Sequence, residues 1–519
     1  MGRKNELLIG IDAGTSVVKA VAFTLSGSQV GCASIPNHYQ SGRDGSATQS
    51  MEKTWADCVA AINALGREVP DLRQRTIGLS VTGQGDGTWL VNKKNQPVGD
   101  AWIWLDARAA NTVEQLKQLP ADAERFHNTG TGLNTCQQSA QLAHMSTHHP
   151  ELLRSSDVAL HCKDWLYLCL TGVRATDPSE ASFTFGDFRT RRYSESVISA
   201  LGLTNHRRLL PDIVDGSEQT HALSTEAALQ VNLPAGLPVS LGYVDMVLTG
   251  LGAGVYTGDT NTACSIIGST GVHMRPNSAD QVVLNQERTG YVMTLPIPGL
   301  VTQMQSNMAS TLNLDWLLNL ISQLCGEFGH TLRPETMIQQ LDRWLTDSAA
   351  GQLIYHPFIS EAGERGPFIN AQARASFIGL AAHHTFPDMV RAIVDGLAMA
   401  TLDCYRTIGP MPGEIRMSGG AARSAGFRAA IASALGAPVR VSSREETGAA
   451  GAAMMSAVAI GAYPSMEACV AEWVTPLLQV STPPEAQLEK AYVGLFDRYI
   501  ASREALVPTW SKLPKASPL

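Results

Sequence analysis

Charge is scarce in this sequence, and long uniformly apolar runs are missing. Charged residues make up 17% of the 519 positions, below the ~25% usual in soluble domains. With 44% apolar residues, that shortage argues for large buried cores and against disorder. The formal net charge of −8 suggests neither a nucleic-acid nor an anionic-membrane partner. The most apolar long stretch, 447–463, is mostly Ala and Gly. It falls short of the ~20 strongly apolar residues a spanning helix needs, so a close-packed core helix is expected there. The nine cysteines form no C-x-x-C pair and read as reduced thiols, mostly core filler. The opening, Met1 to Glu6, is short and polar and does not fit a signal peptide. Glu6 also breaks the N-myristoylation pattern, which needs Ser or Thr at that place. A soluble, cytoplasmic protein is expected.

Several nucleotide and metal motifs are missing too. No Gly-Lys dipeptide occurs, which excludes a Walker A loop. Gly250-Leu251-Gly252-Ala253-Gly254 is followed by Val255, and Gly83-Gln84-Gly85-Asp86-Gly87 by Thr88. Neither supplies the third glycine of a dinucleotide fingerprint. His144, His148 and His149 lie on a polar stretch without cysteine partners, so a zinc site is not expected.

What is present is α/β patterning over a length too great for one core, so two or more domains are expected. An apolar strand from Leu7 to Asp12 runs into Asp12-Ala13-Gly14-Thr15-Ser16, and a second strand covers Val17 to Leu25. A third follows the Gly27 turn, then an amphipathic helix near Met51 to Leu65, then a buried strand from Thr76 to Thr82. The pattern restarts at Asn261 to Ile267, with the turn Gly268-Ser269-Thr270-Gly271 and another strand. The expected division is residues 1–246, 247–480, and a C-terminal helix and tail over 481–519. The Gly-rich segment from Tyr243 to Gly254 is a candidate flexible hinge. The polar tail from Pro508 on is expected to fray.

Three small-residue turns could hold a nucleotide. In the first, Gly14 allows a tight backbone that points N–H groups outward, Thr15 and Ser16 add hydroxyls, and Asp12 could hold Mg²⁺. An ordinary hairpin turn would look the same. Gly268, Ser269 and Thr270 offer equal chemistry from the second half. In Ser418-Gly419-Gly420-Ala421, the glycine pair lets a flat ring or a ribose approach the backbone; plain helix–strand packing is the other reading.

The stretch Ala375-Ser376-Phe377-Ile378-Gly379-Leu380, then seven residues, then Asp388 through Asp395, resembles the long C-terminal signature of the FGGY family of carbohydrate kinases. That signature is a strand running into a helix and marks no chemistry. The resemblance runs through nearly the whole chain. It implies two actin-like (ribonuclease H-like) α/β domains flanking a catalytic cleft, and ATP-dependent, Mg²⁺-assisted phosphorylation of a small polyol or sugar. Homodimer formation stays open.

Residue by residue, Gly14, Thr15 and Ser16 resemble the family's first phosphate loop, with Lys19 close enough to neutralise phosphate; Lys19 could equally be a solvated strand residue. Gly268, Ser269 and Thr270 resemble the second loop, with Ser and Thr exchanged, so that either hydroxyl could face the γ-phosphate. Gly419, Gly420 and Ala421 resemble the adenosine loop, with Ser424 near the ribose or adenine. Asp245, in Gly242-Tyr243-Val244-Asp245-Met246, resembles the general base; taken alone it could be a helix cap. Gln84 and Asp86 resemble the substrate loop, and Trp104, in Trp104-Leu105-Asp106-Ala107-Arg108, the segment behind it, although a core aromatic is as good a reading of Trp104.

Xylulose kinases carry Met-His where this chain has Gly85-Asp86, and glycerol kinases Arg-Glu. Gly85 is therefore expected to leave space in a flexible loop. Arg365, in Glu364-Arg365-Gly366-Pro367, resembles a structural segment near the cleft. The segments around Asp44-Gly45-Ser46-Ala47, Gln84–Trp89 and Trp104–Arg108 are most similar to the bacterial branch of the family that acts on erythritol, with a pentulose or another polyol as alternatives. An actin-like ATPase serving as a binding or regulatory module is the competing class; the long signature and the substrate loop speak against it.

Overall fold

The computed structural model describes residues 5–513; the polar lead-in 1–4 and the tail 514–519 lie outside them. β1 (Leu7–Ala13) is buried along nearly its whole length. Such an apolar run forms a strand covered on both faces. Leu7, Ile9 and Ile11 face one core, and Leu8 faces another. Each fully buried side chain of this size stabilises the fold by roughly 1.5–3 kcal/mol. β1 pairs antiparallel with β2 (Val17–Thr24), placing Asp12 opposite Lys19, and β2 pairs antiparallel with β3 (Gln29–Pro36). The chain then crosses through α1 (Met51–Glu68), whose first turn is capped by Ser50 Oγ accepting from the Lys53 N–H. It returns as β4 (Thr76–Gly83), parallel to β1 on its other side. A parallel neighbour needs such a crossover, whereas an antiparallel one needs only a turn. β5 (Thr220–Ala222) and β6 (Pro238–Leu241) complete a sheet of order β5-β6-β4-β1-β2-β3. A largely helical insertion between β4 and β5 includes α2 (Cys162–Thr171) and α3 (Pro178–Phe185).

The chain leaves this sheet through α4 (Asp245–Ala253), and the plan restarts. β7 (Thr262–Ile267) turns into antiparallel β8 (Gly271–Ser278). With β9 (Tyr291–Thr294), β10 (Leu300–Asn307), β11 (Glu414–Ser418) and β12 (Val439–Val441) they form a second sheet, β9-β10-β8-β7-β11-β12. β7, β11 and β12 are mutually parallel neighbours, as β1, β4 and β6 are in the first sheet. The repeat that is faint in letters is thus a repeat of topology. The long signature forms a short strand, Ser376–Ile378, leading into α5 (Phe386–Arg406). Its Arg391 and Asp395 form a buried ion pair at 2.9 Å that Tyr492 OH also joins, at 2.7 Å from Asp395. α6 (Ala425–Leu435) and α7 (Thr447–Ala459) follow.

α4 and α7 cross between the two sheets and share one core with Leu8, Val21 and Phe23 of the first and Cys264 and Met274 of the second. Their glycines allow the backbones to touch. A Cβ on Gly252 would stand 2.1 Å from Thr447 O, and one on Gly451 2.2 Å from Leu248 O. This corrects the expected hinge: Tyr243 to Gly254 is mostly helix, and its glycines serve close packing rather than flexibility. The tail expectation also changes. The last helix, α8 (Leu495–Trp510), runs through Pro508 to Trp510, whose buried ring meets the Phe358 ring at 5.6 Å. Apolar anchoring outweighs the one backbone donor that Pro508 lacks.

Candidate active site

The strand ends bring the small-residue turns together. Gly14 N–H donates to Val17 O at 3.0 Å, closing the β1–β2 hairpin turn, and Asn37 Nδ2 donates to Gly14 O at 3.2 Å to brace it. Thr15 Oγ1 donates to Gln84 Oε1 at 3.0 Å and accepts from Trp104 Nε1 at 2.8 Å. Gln84 Nε2 donates onward to Gln49 Oε1 at 2.7 Å. Three expected site residues thus form one chain of bonds, and the indole nitrogen of Trp104 is spent on Thr15. Thr15, Gln84, Gly85, Asp86, Trp104, Asp245 and Thr270 line one cavity of about 230 Å³. Ser16 is exposed on the same turn.

Opposite, the β7–β8 turn is held by Gly268 N–H donating to Thr270 O at 3.0 Å. Thr311 donates both its N–H and its Oγ1–H to Gly268 O at 2.9 Å. Thr311 also lines a second cavity, of about 720 Å³, together with Gly420, Ala421, Ser424 and Asp342. The second turn therefore stands between the two cavities. Thr270 borders the smaller one, and Ser269 borders neither. Gly419 is at φ +89° and packs where a Cβ would lie 2.4 Å from Ile267 O, while a Cβ on Gly420 would meet nothing within 4 Å. The first glycine fits the loop to β7 and the second leaves an open face toward the larger cavity. Ser424 Oγ caps α6 by accepting from Phe427 N–H at 3.0 Å and donates to Asp342. Its hydroxyl is already occupied structurally.

Asp245 begins α4, and its Oδ1 accepts from the Met246 N–H at 2.7 Å. It does not cap the helix; Val244 holds the cap position without a side-chain bond. Burial, and then the neighbouring Asp12 carboxylate, push its pKa up to about 7. Burial raises Asp12 to about 6 against the opposing pull of Lys19. The Asp12 charge disfavours ionisation of Asp245, and a divalent cation taking the hard Asp12 oxygens would relieve that. The residues present therefore fit Mg²⁺ at Asp12. Lys19 itself is bound elsewhere, to Glu446 ahead of α7.

Asp86 sits at φ +55°, a left-handed conformation rare outside glycine. Its Oδ2 accepts from Cys136 Sγ and Tyr291 OH, both at 3.3 Å, and its Oδ1 is buried without a partner. Burial raises its pKa. Gly85 does not leave open space: a Cβ there would meet Val244 Cγ2 at 2.4 Å. Its role is close approach of the loop to the start of α4. Arg365, expected to be structural, instead lines the 230 Å³ cavity. Sequence reasoning missed Tyr291, Cys136, Glu446 and Asp342. None stands in a motif; only the pairing of distant segments brings them to the site.

Two sheets of one plan, each presenting a small-residue hairpin turn to a shared cleft, define the actin-like, ribonuclease H-like class of two-domain folds. The profile of the N-terminal domain of the FGGY family of carbohydrate kinases matches residues 7–252, and that of the C-terminal domain residues 263–460, so the chain belongs to this family and is an ATP-using phosphotransferase. It is 58% identical over 513 residues to the erythritol kinase of Brucella abortus (strain 2308), covering 99% of each chain. It is 27% identical over 507 residues to the xylulose kinase of Escherichia coli (strain K12), covering 97% of this chain and 99% of the other. The crystal structure of a xyloylose kinase from Brucella ovis matches with a TM-score of 0.85 at 26% identity, covering 97% of this chain and 100% of that one. Among the described residues no helix is long and apolar enough to cross a membrane.

Proposed function

We propose that the chain transfers the γ-phosphoryl group of ATP to a primary hydroxyl of erythritol. The observation that carries this reading is the shared cavity: Asp245, with its pKa near 7, faces the same 230 Å³ as the polyol-binding candidates and the two phosphate-type turns. That volume is below the ~300–1,000 Å³ usual for drug-sized ligands and suits a small polyol. Gln84 and Asp86 bond the hydroxyls, and Trp104 borders the carbon chain. The name of the Brucella abortus relative supplies the four-carbon choice.

In the transfer, Asp245 accepts the proton of the attacking hydroxyl while that oxygen bonds to the γ-phosphorus and the bond to the bridging oxygen of ADP breaks. Thr15 and Thr270, with the backbone N–H groups of Thr15, Ser16 and Ser269, receive the phosphates from the two sides, while the Gly14 and Gly268 N–H groups hold the turns closed. Gly420, Ala421 and Ser424 border the nucleoside in the larger cavity, and Gly419 seats their loop against β7. Mg²⁺, held at Asp12, would neutralise phosphate charge. The test is ADP release with erythritol, xylitol, glycerol and xylulose side by side. Erythritol should lead, with glycerol at least about tenfold lower in kcat/KM because a missing hydroxyl leaves buried polar groups unpaired. A wide lead for xylulose would refute the substrate, and no stimulation by any of the four would refute the polyol site.

A further inference from the structure

The substrate loop lacks the arginine that glycerol kinases place beside their acidic residue, yet the 230 Å³ cavity contains one. Arg365 reaches it from the other half of the chain, on the loop between the short strands Ile354–His356 and Ser376–Ile378. Its neighbour Glu364 does not neutralise it by a side-chain bond. Glu364 Oε1 is committed to the backbone N–H groups of Met308 and Arg365, both at 2.9 Å. Arg365 Nε is buried without a partner. Asp86 Oδ1, from the first half of the chain, is buried without a partner on the same cavity. Arg365 is among the charges that act on Asp86. A buried donor and a buried acceptor are each costly when unsatisfied. Asp86 and Arg365 both line the one small cavity, and a carboxylate with a guanidinium matches a ligand that both donates and accepts at neighbouring atoms. A vicinal diol does so.

We propose that Arg365 is a specificity-determining residue: its guanidinium donates to one hydroxyl of the polyol while Asp86 accepts from the next, so the grip is complete only when both halves of the chain contribute. The Asp86–Tyr291 bond at 3.3 Å already ties the two sides at this place. The position of the arginine in sequence differs from that of glycerol kinases, but the chemistry is the same fork of donors opposite a carboxylate. This inference rests on the polyol reading of the cavity.

The experiment compares wild type, Arg365→Met and Arg365→Lys with erythritol and with butane-1,4-diol, which has no vicinal pair of hydroxyls. Binding of erythritol alone is measured by calorimetry, and the melting temperature serves as the control for folding. Arg365→Met should lose about 10–100-fold in kcat/KM for erythritol and much less for the diol. Its calorimetric affinity for erythritol should fall in step. Arg365→Lys should recover only part, because a point charge does not reproduce the fork. An Arg365→Met enzyme with wild-type preference overturns the proposal. Equal losses on erythritol and the diol in both variants overturn it too, since they mark a structural residue. Failure of wild type to use erythritol or any polyol would instead strike the underlying functional reading.

Discussion

Lys19 and Glu446 join the two halves of the chain: Lys19 Nζ stands 2.8 Å from Glu446 Oε2 and 3.0 Å from Oε1. Lys19 lies on β2 beside the first turn, and Glu446 immediately precedes α7. With the lysine side chain 32% exposed, the pair adds little stability, about 0–1 kcal/mol. Its consequence is competition, because a lysine held by a carboxylate is less available to phosphate. Glu446→Gln should lower the KM for ATP, and Lys19→Met should raise it, with the KM for the polyol unchanged in both. If both variants keep the wild-type KM for ATP, Lys19 is a strut between the halves and not a phosphate ligand.

Asp245 must be ionised to accept a proton, and its pKa is raised to about 7, first by burial. The base form is therefore lost as the pH falls below about 7. The log of kcat/KM should drop on the acid side with unit slope, above the ordinary carboxylate range near 4 because burial persists, and below about 7 to the extent that Mg²⁺ offsets the Asp12 charge. Asp245→Asn should lose about 10²–10⁴-fold in kcat at every pH and retain its nucleotide affinity. A variant with near-normal turnover would move the base elsewhere.

Much of this could be read along the chain because hairpins, turns and periodic helices are local. β1, the turn at Gly14 and the signature around Asp388–Asp395 lie within short windows, and the structure reproduces them. The errors share one cause. The glycines at 250 and 252 look flexible in sequence, but their function is contact with Met274 and Thr447 far along the chain. Gly85 looks like open space until Val244 is folded against it. Tyr291 carries no local signal and the segment of Arg365 reads only as structural, because Asp86, which bonds Tyr291 and feels the charge of Arg365, lies in the other half of the chain. Long-range pairing is the information that periodicity does not contain.

Asp12 couples to Asp245 electrostatically, so one substitution should move two observables. Asp12→Asn removes a charge that raises the Asp245 pKa. The acid limb of kcat/KM should shift to lower pH, because the remaining carboxylate ionises more easily. The same variant should need at least about tenfold more Mg²⁺ for half-maximal rate, since a hard cation loses a carboxylate oxygen. An unchanged magnesium titration would take Asp12 out of the metal site, and an unshifted acid limb would show that Asp245 does not sense it.

Gly85→Ala tests close approach against open space. The new methyl carbon would lie 2.4 Å from Val244 Cγ2 and 3.2 Å from Glu180 Oε1, so the loop must move. Asp86, already at φ +55°, moves with it. The variant should lose about tenfold or more in kcat/KM for its best polyol without gaining any for another, while the KM for ATP holds. A broadened substrate range at full activity would restore the picture of a roomy loop.

The crossing of α4 and α7 tests how the halves are held together. An alanine at Gly252 would place Cβ 2.1 Å from Thr447 O, and one at Gly451 2.2 Å from Leu248 O. Both obstacles are backbone, which cannot swing aside as a side-chain tip can. The helices must separate, and the cost is about 1–3 kcal/mol or more for each substitution. Because Asp245 begins α4 and Glu446 adjoins α7, separation also displaces the base and the partner of Lys19. Gly252→Ala and Gly451→Ala should each lower the melting temperature and kcat together. Gly326→Ala is the control: it is helical, a Cβ there meets nothing within 4 Å, and alanine should hold or slightly raise stability. Melting curves and kcat of the three variants decide the matter. If Gly252→Ala melts with wild type, the helices are not in backbone contact and the glycines of α4 are free to act as a hinge after all.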